Sequence, residues 1–312
     1  MGGEEQIDHK PGLALIAGDA HPRLAEEIAR LIGTALTPAS VSSFADGETR
    51  ARIDGEVRDA DLYIVQPTSA PTNERLMSLA LLADAAHGAG AARVTAVLPY
   101  FGYARQDVRK NPGEPRSAQL AARILHCAGI DRAVLLELHS PALESAFDMP
   151  LLHLQADELV LPVVRGWGIA DLDLVIVSPD AGGLKRAQRY ASALGAGLAV
   201  VAKARPGPDA AVALQILGDV RGRVCLIADD MASTGRTLVA AAESLAHAGA
   251  KEIHALFVHA VMAPGALDRI GAGPLRRIIT TDSVPGTPDP RIQVVSMAPI
   301  LARAISHLAR QP

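Results

Sequence analysis

The chain alternates between short apolar runs and longer stretches in which apolar residues recur every three or four positions. Gly12–Gly18 (GLALIAG), Leu62–Gln66, Arg93–Leu98, Arg132–Leu138, Leu174–Val177, Leu198–Val201, Val224–Ala228 and Ile253–Val258 have the length and apolar character of buried strands. Residues 21–31, about 73–87 and 238–247 carry helical spacing, and a last helix is expected near 299–308. Strand and helix alternating in this way predict an α/β protein with largely parallel sheets flanked by helices.

Three helix ends repeat one another: His87-Gly88-Ala89-Gly90-Ala91, His126-Cys127-Ala128-Gly129-Ile130 and His247-Ala248-Gly249-Ala250 each lead through a basic residue into an apolar strand. A histidine in a last helical turn with glycine just after it is a C-terminal signal, not a metal ligand. This weak repeat predicts two similar domains, residues 1–153 and 154–298, followed by a terminal helix, 299–312, packing back on the first.

Composition narrows the class. Hydrophobic residues make up 49% and charged residues 21% of the 312, the balance of a globular chain. A net charge of −4 argues against a nucleic-acid partner, since a phosphate backbone demands clustered Lys and Arg. The start, MGGEEQIDHK, has neither the basic nor the apolar region of a leader, and no uncharged apolar stretch reaches the roughly 18 residues of a membrane span. Cys127 and Cys225 both sit in apolar segments and read as small core residues in a reducing compartment. A cytoplasmic protein without a membrane or nucleic-acid partner is expected.

The chemistry concentrates in Arg223–Thr237, RVCLIADDMASTGRT. The strand is expected to stop at Asp229-Asp230 and to give way to a turn, Ser233-Thr234-Gly235-Arg236-Thr237, that opens a helix. Backbone N–H groups and hydroxyls at a helix N-terminus suit a phosphate. Two carboxylates just before it suit ribose hydroxyls or a Mg²⁺-bound water. The alternative is a solvated loop in which Ser233 or Thr234 is an ordinary N-cap. Elsewhere, Gly88-Ala-Gly90, Gly195-Ala-Gly197 and Gly271-Ala-Gly273 lack the third glycine of a dinucleotide fingerprint, and no G-x-x-x-x-G-K-[ST] occurs.

The stretch resembles the 5-phosphoribosyl-1-diphosphate (PRPP) motif of phosphoribosyltransferases and PRPP synthetases. Four more segments narrow the resemblance: Phe44-Ala45-Asp46-Gly47-Glu48, Pro99–Asp107 (PYFGYARQD), Glu137-Leu138-His139-Ser140 and Val177–Gly183 (VSPDAGG). Together, in this order, they are similar to ribose-phosphate pyrophosphokinases from about Leu13 to Ile305. The resemblance implies two phosphoribosyltransferase-like domains, Mg²⁺ as cofactor, and ATP and ribose 5-phosphate as substrates giving PRPP and AMP. It also implies a homo-oligomer, built of dimers and up to a hexamer.

Carried over by position, Phe44, Asp46 and Glu48 would reach the adenine of a neighbouring subunit, and Arg105 and Gln106 would contact the nucleotide. His139 and Asp180 would help place Mg²⁺. Asp229 and Asp230 would hold the ribose hydroxyls, and Ser233, Thr234, Gly235, Arg236 and Thr237 the 5-phosphate. Lys203 and Arg205, in a Pro- and Gly-containing segment after the strand 198–201, match the family's catalytic loop. Diphosphoryl transfer builds charge on phosphate oxygens, so it needs fixed cations more than a covalent nucleophile. Glu137 and His139, two apart, are expected on one face of a strand.

The chain departs from the family in four places: Glu137 stands for Asp, Val108 precedes the Arg109-Lys110 pair, and Ser233 and Arg236 stand for Asp and Gly. The alternatives are a PRPP-consuming phosphoribosyltransferase, which needs no adenine site of the Phe44–Glu48 kind, and a catalytically weak regulatory subunit of a synthetase.

Overall fold

The computed structural model describes residues 12–170, 173–204, 213–286 and 289–311. The chain divides into two compact units, one of Met1–Leu154 with Ala298–Pro312 and one of Gln155–Met297.

The first unit contains β1 (Leu13–Ala17), α1 (Pro22–Ile32), β2 (Ala39–Ser43), β3 (Thr49–Ile53), β4 (Asp61–Val65), α2 (Thr72–Gly88), β5 (Arg93–Leu98), α3 (Ser117–Cys127), β6 (Arg132–Leu136), a 3₁₀ turn (Pro141–Ala146) and β7 (Leu151–Leu154). Its sheet has the order β1-β4-β5-β6-β7, parallel at every step. Every residue of β4 and β6 is buried, which is why residues 62–65 and 133–136 read as unbroken apolar runs.

β2 and β3 form a separate antiparallel hairpin whose turn carries Phe44–Glu48. Sequence reading missed both strands because only alternate residues, Val41, Ala51 and Ile53 among them, pack on the core. His87 and His126 end α2 and α3 as expected, and His87 Nε2 lies 2.7 Å from the Gly129 carbonyl. Cys127 corrects an expectation: it is exposed at the end of α3, outside the buried stripe of Ala118, Ala121, Ala122 and Leu125.

The second unit runs α4 (Asp157–Arg165), β8 (Leu174–Ser178), α5 (Leu184–Leu194), β9 (Gly197–Ala204), β10 (Ala213–Leu217), β11 (Val224–Ala232), α6 (Arg236–His247), β12 (Glu252–Ala260), α7 (Ala266–Ala272), β13 (Ile278–Thr281) and β14 (Ile292–Val295). Its sheet has the order β10-β9-β8-β11-β12-β13-β14, parallel except where β10 lies against β9. From β8 the chain crosses through α5 to β9 on one side; from β11 it crosses through α6 to β12 on the other. The connections therefore diverge between β8 and β11, and open α/β sheets bind ligands in such a crevice at the carboxyl ends of the strands.

The last helix, α8 (Ala298–Leu308), belongs to the first unit and packs on α1, burying Ile300, Leu301, Ile305 and Leu308. Among the described residues no helix is long and apolar enough to cross a membrane.

Candidate active site

The crevice of the second unit is built where β11 outruns its neighbour. β11 pairs with β8 only along Val224–Ile227, but with β12 as far as Ala232 and Ala260. Asp229 and Asp230 therefore lie inside a strand, not after one as expected. The expectation failed because the length of β12 alongside decides where β11 ends.

Arg186 of α5 approaches both carboxylates, its Nη1 4.0 Å from Asp229 Oδ1 and 3.7 Å from Asp230 Oδ1. Arg186 and Asp230 are buried, and Asp229 Oδ1 accepts the Asp230 N–H at 2.9 Å. Burial first, then the neighbouring Asp230 charge, pushes the Asp229 carboxyl up to about 8, while Arg186 pulls the other way. Two acids so placed are stabilised by a donor of hydroxyl protons or by a cation. Sequence reading missed Arg186. The available signal was its register, four residues before Tyr190 and beside Ala187, on the buried stripe of α5.

Beyond Ala232 the chain turns. Ala263 N–H donates to the Ser233 carbonyl at 3.0 Å and an Arg269 guanidinium N–H to that of Thr234. Gly235 is the N-cap of α6, with φ 73° and no side-chain cap. A Cβ here would meet Ile270 Cγ1 at 2.8 Å, so both conformation and space require glycine. The helix starts at Arg236, two residues before the expected 238; Gly235 brings no capping side chain, and the Arg236 N–H donates to Thr234 Oγ1 at a long 3.5 Å. Thr234, Arg236 and Thr237 are exposed and Ser233 half-buried.

Asp180 follows β8, and its Oδ1 accepts the N–H groups of Gly182 at 2.9 Å and Gly183 at 3.1 Å, which shapes the turn into α5. Lys203 lies within β9 opposite Leu214, since pairing with β10 carries the strand to Ala204, beyond the expected end at Val201. Arg205 lies outside the described residues.

In the first unit, Phe44, Asp46 and Glu48 are all exposed on the β2–β3 turn, with Arg50 5.9 Å over the Phe44 ring. Arg105 and Gln106 are exposed too, but on a segment anchored from behind. Phe101 is buried against Phe147, ring centroids 5.1 Å apart, and a Cβ on Gly102 would meet the Thr68 carbonyl at 2.5 Å. Gln106 Oε1 accepts the Ser117 hydroxyl at 2.5 Å, which ties it to the start of α3.

Glu137 and His139 do not share a strand face. β6 ends at Leu136 and Glu137 has φ 43°, so the two-residue alternation stops there; Glu137 is buried while His139 is exposed. Among the described residues no three His, Cys, Asp or Glu side chains cluster as a metal cage.

Comparison with known proteins places this geometry. A family model for the N-terminal domain of ribose phosphate pyrophosphokinase matches residues 13–129, and one for the phosphoribosyl transferase domain matches residues 157–285. The ribose-phosphate pyrophosphokinase of Burkholderia pseudomallei is 40% identical over 96% of this chain and 95% of its own; that of Clostridium acetobutylicum is 37% identical over 97% and 96%. The chain belongs to the ribose-phosphate pyrophosphokinase family. The crystal structure of phosphoribosylpyrophosphate synthetase from Mycobacterium smegmatis agrees with a TM-score of 0.90 at 37% identity, covering 95% of this chain and 98% of that one. The two phosphoribosyltransferase-like domains of a ribose-phosphate pyrophosphokinase are thus the two units described above.

Proposed function

We infer that the chain is a ribose-phosphate diphosphokinase, transferring the diphosphoryl group of ATP to O1 of ribose 5-phosphate to give PRPP and AMP. The observation that carries the reading is the β8–β11 crevice, where a half-buried Asp229 and a buried Asp230 are followed by a turn into a helix whose N-cap, Gly235, has no side chain to occupy it.

The N–H groups opening α6 and the hydroxyls of Ser233, Thr234 and Thr237 would receive the 5-phosphate, with Gly235 allowing close approach and Arg236 adding charge. Asp229 and Asp230 would accept from the ribose 2- and 3-hydroxyls, which leaves the anomeric hydroxyl facing outward to attack the β-phosphorus as AMP departs. Lys203 and Arg205 would neutralise the phosphate oxygens as charge develops. Phe44, Asp46 and Glu48 would hold the adenine of a neighbouring subunit, and Arg105 and Gln106 the nucleotide phosphates. A site shared in this way requires a homo-oligomer, for which the reading is a dimer-based assembly of up to six subunits; the setting proposed is the cytoplasm.

The residues present fit Mg²⁺. It binds through one or two carboxylates plus substrate phosphates and retained waters, not an all-protein cage. Asp180 has one oxygen committed to backbone N–H groups and a second to offer. The imidazole of His139 is a softer donor than Mg²⁺ prefers, so it would act through a metal-bound water or a phosphate oxygen. When bound, the ion neutralises the transferring phosphates.

The test is product formation. With ATP, Mg²⁺ and ribose 5-phosphate, AMP and PRPP should appear in equal amounts; ADP as product, or AMP without PRPP, would refute the assignment.

A further inference from the structure

The turn that carries His139 is held by a histidine outside every motif discussed above. Two successive N–H groups after β6 are secured by the end of β7: Glu137 N–H donates to the Leu154 carbonyl at 2.8 Å, and Leu138 N–H donates to His153 Nε2 at 3.0 Å. Because a backbone N–H can only donate, Nε2 must be the bare nitrogen of the ring, and the proton sits on Nδ1. Nδ1 lies 2.7 Å from Glu144 Oε1, a carboxylate that accepts that proton's hydrogen bond and so fixes the tautomer. Glu144 in turn belongs to the 3₁₀ turn that follows His139. One ring thus ties the residue before His139 to the turn after it.

The ring is well placed to set geometry. Its side chain is 13% exposed, while Glu144 is 51% exposed at the outer end of the relay. Glu137, held at φ 43°, turns the chain sharply between the strand and His139, a conformation that a non-glycine residue keeps only when its surroundings enforce it. The paired bonds to Leu154 and His153 supply that enforcement.

We propose that His153 is a positioning residue, fixing the main-chain turn from which His139 reaches the metal–nucleotide, with Glu144 fixing the tautomer that lets it do so. This rests on the role given to His139 above.

The test uses the full-length protein, with hydrogen exchange of the peptide spanning residues 136–146 and calorimetric binding of Mn²⁺·ATP as readouts alongside turnover. His153→Leu should speed exchange of the Leu138 amide at least about tenfold and weaken Mn²⁺·ATP about tenfold. His153→Gln places an acceptor where Nε2 stands and should restore both to within about threefold of wild type. Glu144→Leu, at an exposed position that does not endanger folding, should give an intermediate loss because Nε2 becomes free to carry the proton. In a double-mutant cycle, His153→Leu should add nothing to His139→Ala. Wild-type exchange and affinity in both His153→Leu and Glu144→Leu, or losses that add fully to His139→Ala, would overturn the proposal. Unchanged binding and turnover in His139→Ala alone would remove the role of His139, while the exchange measurement would still decide whether His153 holds the turn.

Discussion

Replacing Asp229 with Asn should make the ligand-free protein more stable at alkaline pH and far less active. The carboxyl stands beside Asp230 with one guanidinium, that of Arg186, at 4.0 and 3.7 Å for the two acids, and burial pushes it up to about 8. An unfolded aspartate titrates near 3.9. Between these values the folded protein holds a proton that the unfolded chain releases. The stabilisation from that proton is therefore fully present below about pH 4 and is lost as pH rises toward 8. Across pH 5 to 8 the limiting slope of about 1.4 kcal/mol per unit sets a ceiling of about 4 kcal/mol. Water reaching the 28% exposed Asp229 side chain screens the repulsion and reduces this to about 1–3 kcal/mol.

Asparagine is uncharged throughout, and its side-chain oxygen can still accept the Asp230 N–H. Urea unfolding in EDTA without substrates should show wild type losing about 1–3 kcal/mol from pH 5 to 8 relative to Asp229→Asn. At about pH 9, where the wild-type carboxyl is ionised, the same variant should lose at least about a hundredfold in kcat/KM for ribose 5-phosphate, since a charge-assisted acceptor becomes a neutral one. Parallel stability curves for the two proteins would refute the electrostatic argument, and an undiminished kcat/KM would refute the assignment of the acid pair to ribose.

Two further substitutions probe neighbouring parts of the crevice. Lys203→Ala should lower kcat by several orders of magnitude while calorimetric ATP affinity stays within about threefold, because a fixed cation acts most where charge develops; a loss of tenfold or less would exclude Lys203 from catalysis. Gly235→Ala should cost about 2–4 kcal/mol in denaturant unfolding, about 1 from a left-handed φ and the rest from the 2.8 Å approach to Ile270, and should raise KM for ribose 5-phosphate. A cost under about 0.5 kcal/mol would mean the loop repacks freely.

The legible parts of the fold were those whose signal is local. Strands buried on both faces, such as Arg93–Leu98, announce themselves as apolar runs, and helix ends by histidine followed by glycine. What failed depended on partners distant in sequence. β11 continues through Asp229 and Asp230 because β12 lies beside it, and β9 reaches Ala204 because β10 folds back on it. The β2–β3 hairpin, half of whose residues face outward, left too faint an alternation to read. The same-face pairing of Glu137 and His139 assumed an extended chain that the positive φ of Glu137 interrupts. Arg186 went unread because a cation in a helix looks like surface until its register against Tyr190 and Leu194 is considered.

Hydrogen exchange with and without ribose 5-phosphate tests the central claim most directly, since it reports where the sugar phosphate binds without requiring turnover. The N–H groups of residues 235–238, at the start of α6, and of Asp229–Asp230 should slow at least about tenfold on saturation, and Asp229→Asn should abolish the effect at the same concentration. Protection appearing elsewhere, with these amides unchanged although calorimetry records binding, would contradict it.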